Sequence, residues 1–427
     1  MYTLGYPFKP WKEAKAIADG SAILKYLGDT AREYGIDRTI RYGHRVTRAS
    51  WSSGDALWNV EATGPDGGAA RFTCTFLYMC SGYYDYAQGY MPGWPGIDRY
   101  RGRLVHPQKW PEELDYSGKR IIVIGSGATA VTLVPSLAKK AAHVIMLQRS
   151  PTYIVSLPSE DRVANLLRRL LPGRLAYEIV RWKNVFMGML FYNLARYRPD
   201  DTKKNILKLV QKQLGPGYDV TKHFSPRYKP WDQRLCLVPD ADLFSAIRTG
   251  KASVVTDEIE AFTEKGLRLR SGAELEADIV VAATGLKLKL LGGMQVTVDG
   301  AVPDLGRTLS YKGIMYSDIP NLASAFGYTN ASWTLKSDLT AQYVCRLLNH
   351  MDAKGYAYCT PRRRDPKITE EPLVNFTSGY FQRANDTLPK QGSKKPWKLY
   401  QNYALDMIAL RFGAVEDGSM EFTLRTP

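Results

Sequence analysis

The chain has 427 residues, 44% of them hydrophobic, and its 58 lysines and arginines exceed its 42 aspartates and glutamates to give a formal charge of +16. That much apolar material builds a large core divided over two or three domains, which excludes a disordered chain, and the basic surface favours anionic partners such as phosphorylated cofactors, nucleic acid or acidic lipid headgroups. Five cysteines, Cys74, Cys80, Cys236, Cys345 and Cys359, have no CxxC spacing, which argues against a disulfide framework or a zinc site and for a reducing, cytoplasmic compartment.

The first residues, "MYTLGYPFKPWKEAKAIADG", lack a basic segment followed by an apolar one, and no charge-free apolar run approaches the roughly 20 residues of a membrane span. Residues 20 to 35 carry Ile23, Leu24, Leu27, Ala31 and Tyr34 at helical spacing and stop at Gly35. Three β-rich runs follow, "TIRYGHRVTRASW", "ALWNVEAT" and "ARFTCTFLYMCSG", separated by "SSGD" and "GPDGGA", and predict a small antiparallel meander. From 119 the texture changes to strand, glycine loop, helix and strand: "KRIIVIG", "SGATAVTLVPSLAKK", "HVIMLQRS". Residues 160 to 215 are helical and basic, with arginines set into a broad apolar face. Short strands return in "ASVVTDEIEAF", "GLRLRS" and "ADIVVAATG", and "TLKSDLTAQYVCRLLNHM" predicts a late helix. Repeats and low-complexity segments are absent from this pattern.

"GSGATA", residues Gly125, Ser126, Gly127, Ala128, Thr129 and Ala130, fits GxGxxA: the first glycine permits the tight turn, the second lets a pyrophosphate approach the backbone, and the small last residue lets helix pack on strand. The helix N-terminus then faces the phosphates. An NAD site usually ends the next strand in a carboxylate, which accepts from the ribose hydroxyl. Here that position holds Gln148, Arg149 and Ser150, and a guanidinium can grip a 2′-phosphate that a carboxylate would repel, so NADP is favoured. Taken locally, Arg149 also reads as a solvated strand-end arginine.

Just upstream, Tyr100, Gly102, His106, Trp110 and Pro111 stand at the spacing x-Gly-x-x-x-His-x-x-x-Trp-Pro. Alone, His106 before Pro107 reads as a packed turn residue. The whole pattern resembles the Baeyer–Villiger monooxygenase fingerprint, FxGxxxHxxxW followed by Pro or Asp, with Tyr100 in place of the usual Phe. The likeness runs through "LDYSGKRIIVIGSGATAVTLVPSLA", "KPWDQRLCLVPDADLF", "DIVVAATGL" and "GYTNASWTLKSDL", and is similar over nearly the whole chain to the mycobacterial ethionamide-activating branch of that family.

The resemblance implies an α/β flavoprotein with two dinucleotide-binding domains, a Rossmann-like NADP domain inserted in an FAD domain. The expected division is residues 1–116 for the first part of the FAD domain, 117–285 for the NADP domain with a helical insertion at about 158–232, and 286–427 for the second part of the FAD domain and a C-terminal segment. Residues 100 to 111 become the linker between domains, with His106 coupling them rather than transferring a proton. Arg234, in "WDQRLCL", falls at the family's catalytic arginine, where a fixed cation offsets the negative charge that develops on oxygen in a water-poor pocket. Without the resemblance Arg234 would be read as pairing with Asp232 or Asp240 at the surface. Many relatives have Lys at the position of Gln233, which leaves more of the NADP selectivity to Arg149. Thr284 and Gly285 belong to the segment returning to the FAD domain, and "GYTNASW", with Asn330 and Trp333, to a segment close to the flavin; for Trp333 core packing is an equal alternative. The expected activity is FAD- and NADPH-dependent insertion of one oxygen atom from dioxygen beside a ketone carbonyl, or oxidation of sulfur, in a small-molecule substrate.

No second GxGxxG opens a helix: "GPDGG" falls in a hairpin and "LLGGMQ" after an extended run. The expectation is therefore an FAD domain whose first βαβ unit is missing from this chain, together with its phosphate loop and the carboxylate that partners the arginine. Two other readings stay open at this point. One is a catalytically impaired NADP-binding remnant. The other is a basic protein peripheral to a membrane surface, the inner face of the cell membrane, suggested by Arg168, Arg169, Arg174, Arg181, Lys203, Lys204, Lys208 and Lys212. These basic stems can equally be ordinary surface snorkelling. A nucleic-acid partner is not expected, since no recognisable module accompanies the charge.

Overall fold

The computed structural model describes residues 1–425. In the strand Arg120–Ile124 four consecutive apolar residues are buried, the signature of a strand covered on both faces. It lies at the centre of a five-stranded sheet whose order is Ala252–Thr256, His143–Gln148, Arg120–Ile124, Ile279–Ala282, Arg103–Val105. Every pairing in it is parallel. The helix Ala128–Leu137 connects the central strand to His143–Gln148 and buries Ala130, Val131, Val134 and Leu137 on one face of the sheet. A three-stranded antiparallel layer, Ile259–Phe262, Gly266–Leu269 and Glu274–Glu276, covers the other face over Ile122, Ile124 and Val280.

A second unit is built on the sheet Ser310–Tyr311, Met315–Tyr316, Leu322–Ser324, Leu77–Met79, in which the last two strands run parallel. The helix Trp333–Lys354 lays Leu335, Leu339, Tyr343 and Leu347 against it. The meander forms as Arg45–Ser52, Leu57–Thr63 and Ala69–Cys74, with Gln295–Val298 added in parallel to its first strand. One run differs from the sequence expectation: "ARFTCTFLYMCSG" is two strands, and Leu77–Met79 leaves the meander for the other sheet.

The helical insertion comprises Arg162–Leu170, Gly173–Tyr197 and Pro199–Leu214, the last opened by Pro199 with Asp200 and Asp201 in its first turn, where negative charge faces the helix dipole favourably. It bridges the molecule. Tyr177 and Val180 pack on Tyr2, Trp11 and Tyr26 of the N-terminal segment, Val185 enters the second unit's core, and Ile206, Val210 and Leu214 enter the first unit's core. The early helix Gly20–Glu33 buries Tyr26 and Thr30, whereas Leu24 and Leu27 of the expected apolar face are exposed. Two crossings join the units, and they pair: Tyr84–Gly89 runs antiparallel to Leu286–Leu288 with Leu286 opposite Gly89.

Candidate active site at the inter-domain cleft

In the central sheet the chain turns from Arg120–Ile124 towards one edge and Ile279–Ala282 lies on the other side, so the crevice at their carboxyl ends is a topological switch point. Gly125 sits there with φ +133°, and a Cβ on it would run into the Ala283 carbonyl oxygen. Gly127 precedes the helix Ala128–Leu137 with an extended backbone, and a Cβ there would meet no atom within 4 Å. Gly127, Ala128 and Thr129 are exposed while Ala130 is fully buried, so the loop offers its amides outward and packs its helix inward. The Ser126 hydroxyl ties the loop to the next crossover through Ser150 O at 3.0 Å and Thr152 Oγ1 at 2.8 Å.

The three residues after the second strand divide. Gln148 is turned inward: it is buried, and its Nε2 donates to His223 O at 2.7 Å and Thr256 Oγ1 at 2.9 Å. Sequence placed Gln148 with the cofactor, but both amide hydrogens are taken up by the protein. Arg149 and Ser150 are exposed at the crevice, and Arg149 makes no ion pair among the described residues. An outward glycine loop at a helix N-terminus and a free guanidinium one strand away fit a dinucleotide carrying a 2′-phosphate.

The residues of the x-Gly-x-x-x-His-x-x-x-Trp-Pro pattern lie between the crossing Tyr84–Gly89 and the strand Arg120–Ile124. Tyr100 donates from its hydroxyl to Ala277 O at 2.9 Å and packs on Phe262. At Gly102 a Cβ would collide with the Tyr100 ring and the Asp278 carbonyl. His106 Nδ1 accepts from Gln108 N at 3.2 Å, which leaves the proton on Nε2, a buried atom without a partner. Its ring lies against Gly89, where a Cβ could not fit. Trp110 packs with Tyr116 on the first unit's core, and Pro111 O accepts from Leu114 N at 3.2 Å. On the returning strand Thr284 Oγ1 donates to Tyr90 O at 2.5 Å and Tyr90 N to Gly285 O at 3.0 Å.

Arg234 stands where this hinge meets the second unit. Neither surface partner considered for it holds it: Asp232 pairs with Arg196 at 2.7 Å, and Asp240 accepts from Ser159 N at 2.8 Å. Arg234 is exposed rather than enclosed in the water-poor pocket expected for it, and its Nη2 donates to Tyr328 O at 3.4 Å, a long hydrogen bond. Its charge is felt by the buried Tyr83 and Cys236 and the half-buried Tyr380. Burial pushes Cys236 and Tyr380 up to about 12 each, and burial raises Tyr83 further, with Arg234 pulling against the shift in every case. Tyr83 stacks on Trp333 at 4.9 Å between centroids and touches Phe326 and Phe381, an aromatic wall that sequence did not reveal.

Asn330 lies in the turn above the helix Trp333–Lys354. Its Nδ2 donates to Gln401 O at 2.8 Å, and its buried Oδ1 has no partner. An acceptor of this kind suits a ligand N–H, and a flavin ring edge carries one beside its carbonyls. No group of three or more potential metal ligands is found among the described residues.

Comparison with known proteins follows this geometry. Residues 6–291 match the family model described as flavin-binding monooxygenase-like. The chain is 53% identical over 426 residues to an FAD-containing monooxygenase EthA of Mycobacterium tuberculosis, covering all of this chain and 87% of that protein. It is 48% identical to a putative FAD-containing monooxygenase MymA of the same species, covering 99% of this chain and 86% of that one, and 46% identical to a probable FAD-binding monooxygenase AlmA of Acinetobacter baylyi, covering 100% and 86%. Among solved structures, oxidized steroid monooxygenase bound to NADP superposes with a TM-score of 0.76 at 18% identity, over 99% of this chain and 89% of that one, a likeness of fold.

Proposed function

Since the chain belongs to the flavin-binding monooxygenase-like family, we propose that it is an FAD- and NADPH-dependent monooxygenase of Baeyer–Villiger type, acting on a small-molecule ketone or sulfur compound with dioxygen. The reaction consumes substrate, dioxygen, NADPH and a proton and yields oxygenated product, NADP and water. FAD, when bound, supplies the redox chemistry that passes electrons from NADPH to dioxygen.

The chain's own residues supply position and charge. The amides at Gly125 to Ala130 hold the pyrophosphate and Arg149 the 2′-phosphate, while Ser150, Thr284 and Gly285 line the approach. The GYTN turn with Asn330 and the wall of Tyr83 and Trp333 bound the flavin side. Arg234 would supply the cation that offsets negative charge developing on oxygen; its side chain is exposed in this structure, with the buried Tyr83 close enough to feel its charge.

The observation that carries this reading is Arg234 itself, an exposed guanidinium without a carboxylate partner among the described residues, whose one hydrogen bond reaches Tyr328 O at 3.4 Å across the junction of the two units. The test is FAD-loaded protein supplied with NADPH and either an aliphatic ketone or a thioether. Product should match NADPH consumed, and Arg234→Ala should lower coupled turnover by about 10²–10³, the usual effect of losing one group that stabilises charge in a transition state. Wild-type coupling in Arg234→Ala would overturn the assignment.

We propose in addition a weak association with a membrane face. No helix among the described residues is long and apolar enough to cross a bilayer. The helix Gly173–Tyr197, however, exposes Ile179, Phe186, Met187, Leu190, Leu194 and Tyr197 along one stripe. An exposed apolar stripe on a chain of formal charge +16 suits an anionic interface, and the five free thiols suit a reducing cytoplasm. Co-sedimentation with phosphatidylglycerol vesicles at low salt, lost with phosphatidylcholine, is the expected result.

A further inference from the structure

Arg234 depends for its placement on a turn, and the turn depends on a charge pair buried behind it. Besides Arg234 Nη2 to Tyr328 O at 3.4 Å, the exposed guanidinium makes no hydrogen bond or ion pair among the described residues. Residues 327 to 330 thus supply the one polar anchor that the guanidinium has in this structure.

That turn is pinned from one direction. The Tyr328 hydroxyl donates to Asp406 Oδ2 at 2.7 Å, Thr329 N and Oγ1 reach Gln401 Oε1 at 3.1 and 3.2 Å, and Asn330 Nδ2 reaches Gln401 O. Asp406 is in turn held by Lys336 Nζ at 3.0 Å, whose side chain is 6% exposed. Lys336 also lies beside the Tyr328 ring and within 3.5 Å of Lys312 O.

A lysine is a poor choice for this place on stability grounds. It occupies the first turn of the helix Trp333–Lys354, where the helix dipole disfavours a cation, and burial disfavours it again, lowering its pKa against the pull of Asp406. A well-packed apolar pair of similar volume is often as stable as a buried ion pair or more so. Asp406, by contrast, sits comfortably in the first turn of the helix Tyr403–Arg411, whose cap is Asn402. Residues that break a local rule on both counts mark a place where position matters more than stability.

We propose that Lys336, Asp406 and Tyr328 are positioning residues that set the Arg234 guanidinium at the reacting centre: the buried pair fixes the tyrosine hydroxyl, and the tyrosine carries Arg234 on its carbonyl. This rests on the catalytic reading of Arg234. The ion pair holds the turn at one depth, because a slip of the tyrosine leaves two buried charges short of a hydrogen bond.

Removing either charge alone strands the other in the core, so single substitutions at Lys336 or Asp406 are poor tests. Tyr328→Phe keeps the ring and deletes only the hydroxyl, and the paired change Lys336→Met with Asp406→Leu removes both charges. In the FAD-loaded enzyme each should retain the wild-type melting temperature to within a few degrees, bind NADP with unchanged affinity and keep its KM for NADPH. Coupled kcat should fall about tenfold, with the lost electrons appearing as hydrogen peroxide. Amide exchange across residues 327 to 331 should quicken in the same proteins, a readout independent of turnover, and Tyr328→Phe combined with Arg234→Lys should cost less than the two changes multiplied.

Wild-type coupling and exchange in Tyr328→Phe would overturn the proposal, as would a parallel fall in melting temperature, NADP affinity and kcat, which marks a purely structural role. If instead Arg234→Ala stays fully coupled, the function assigned to Arg234 fails, while exchange in Tyr328→Phe still reports whether the pair holds the turn.

Discussion

The Arg383 guanidinium lies over the Tyr90 ring, 3.6 Å from its centroid, and so joins the helix Gly379–Ala384 to the hinge where the two inter-domain crossings pair. Tyr90 already exchanges hydrogen bonds with Thr284 and Gly285 on the other crossing, so the stack places a third segment on the joint. Arg383 makes no ion pair among the described residues, and its cation is free to face the ring. Thr377, just ahead of the same helix, donates from its amide to Asp232 O at 3.1 Å, two residues before Arg234.

Arg383→Ala is therefore expected to loosen the hinge. A partly exposed cation–π contact contributes about 1 kcal/mol, so the loss should be modest in overall stability. Steady-state kinetics should show it more clearly, as a rise in KM for NADPH and in peroxide release, both partly restored in Arg383→Lys. An unchanged KM and coupling ratio in Arg383→Ala would show that the stack does not steer the domains.

Arg149 carries the second prediction. Its guanidinium is exposed beside the glycine loop, and Gln233 offers no charge to share the 2′-phosphate. A hydrogen bond to a charged group contributes about 1.5–3 kcal/mol, so Arg149→Ala should raise KM for NADPH by roughly ten- to a hundredfold. KM for NADH, which lacks that phosphate, should hardly move. A similar loss with both nucleotides would place Arg149 elsewhere than on the phosphate.

How far the chain could be read from its sequence varied with how local each signal is. The glycine loop and its flanking strands are legible because a tight turn and two-sided burial write themselves into consecutive residues: Gly125, the run Ile121 to Ile124, the small Ala130. Leu77–Met79 was hidden in a continuous β-rich run, since nothing local says that a strand's partner changes after Cys74. The face of the helix Gly20–Glu33 was misjudged because Leu24 and Leu27 have the right spacing, but the N-terminal segment packs on Tyr26 instead, through the Tyr26 hydroxyl and Lys9 O at 2.6 Å. Gln148 lay at the right position in the motif yet points inward, drawn by two acceptors supplied from 223 and 256. Tyr90 with Arg383, and Tyr328 with Asp406, meet only because the C-terminal segment folds back over the hinge, and no periodicity encodes such a pairing.

The short helix Val220–Phe224, packed beside the strand end at Gln148, also sets a pH dependence. His223 Nδ1 lies 2.9 Å from Thr256 Oγ1, the hydroxyl that Gln148 uses, and burial lowers its pKa below the ordinary 6.5, helped by Lys222 and opposed by Asp219. In the unfolded chain the same imidazole takes up its proton near pH 6.5, before the folded protein does. Proton uptake therefore favours unfolding. The contribution is complete above that value and is lost as pH falls through the lower, folded value. Urea midpoints measured from pH 7.5 down to 5 should fall less steeply in His223→Gln than in the wild type. Parallel slopes would remove His223 from the account.

The two glycines of the loop separate folding from binding. At Gly125, φ +133° lies outside the range open to other residues and a Cβ would press on Ala283 O, so Gly125→Ala should destabilise the protein by about 1–3 kcal/mol and weaken NADP binding with it. At Gly127 the backbone is extended and a Cβ meets no protein atom within 4 Å. Gly127→Ala should then melt with the wild type, and only the approach of a pyrophosphate to the helix N-terminus should suffer, as a loss of NADP affinity seen by calorimetric titration. Unchanged affinity in a folded Gly127→Ala protein would mean that the phosphates do not lie against this loop.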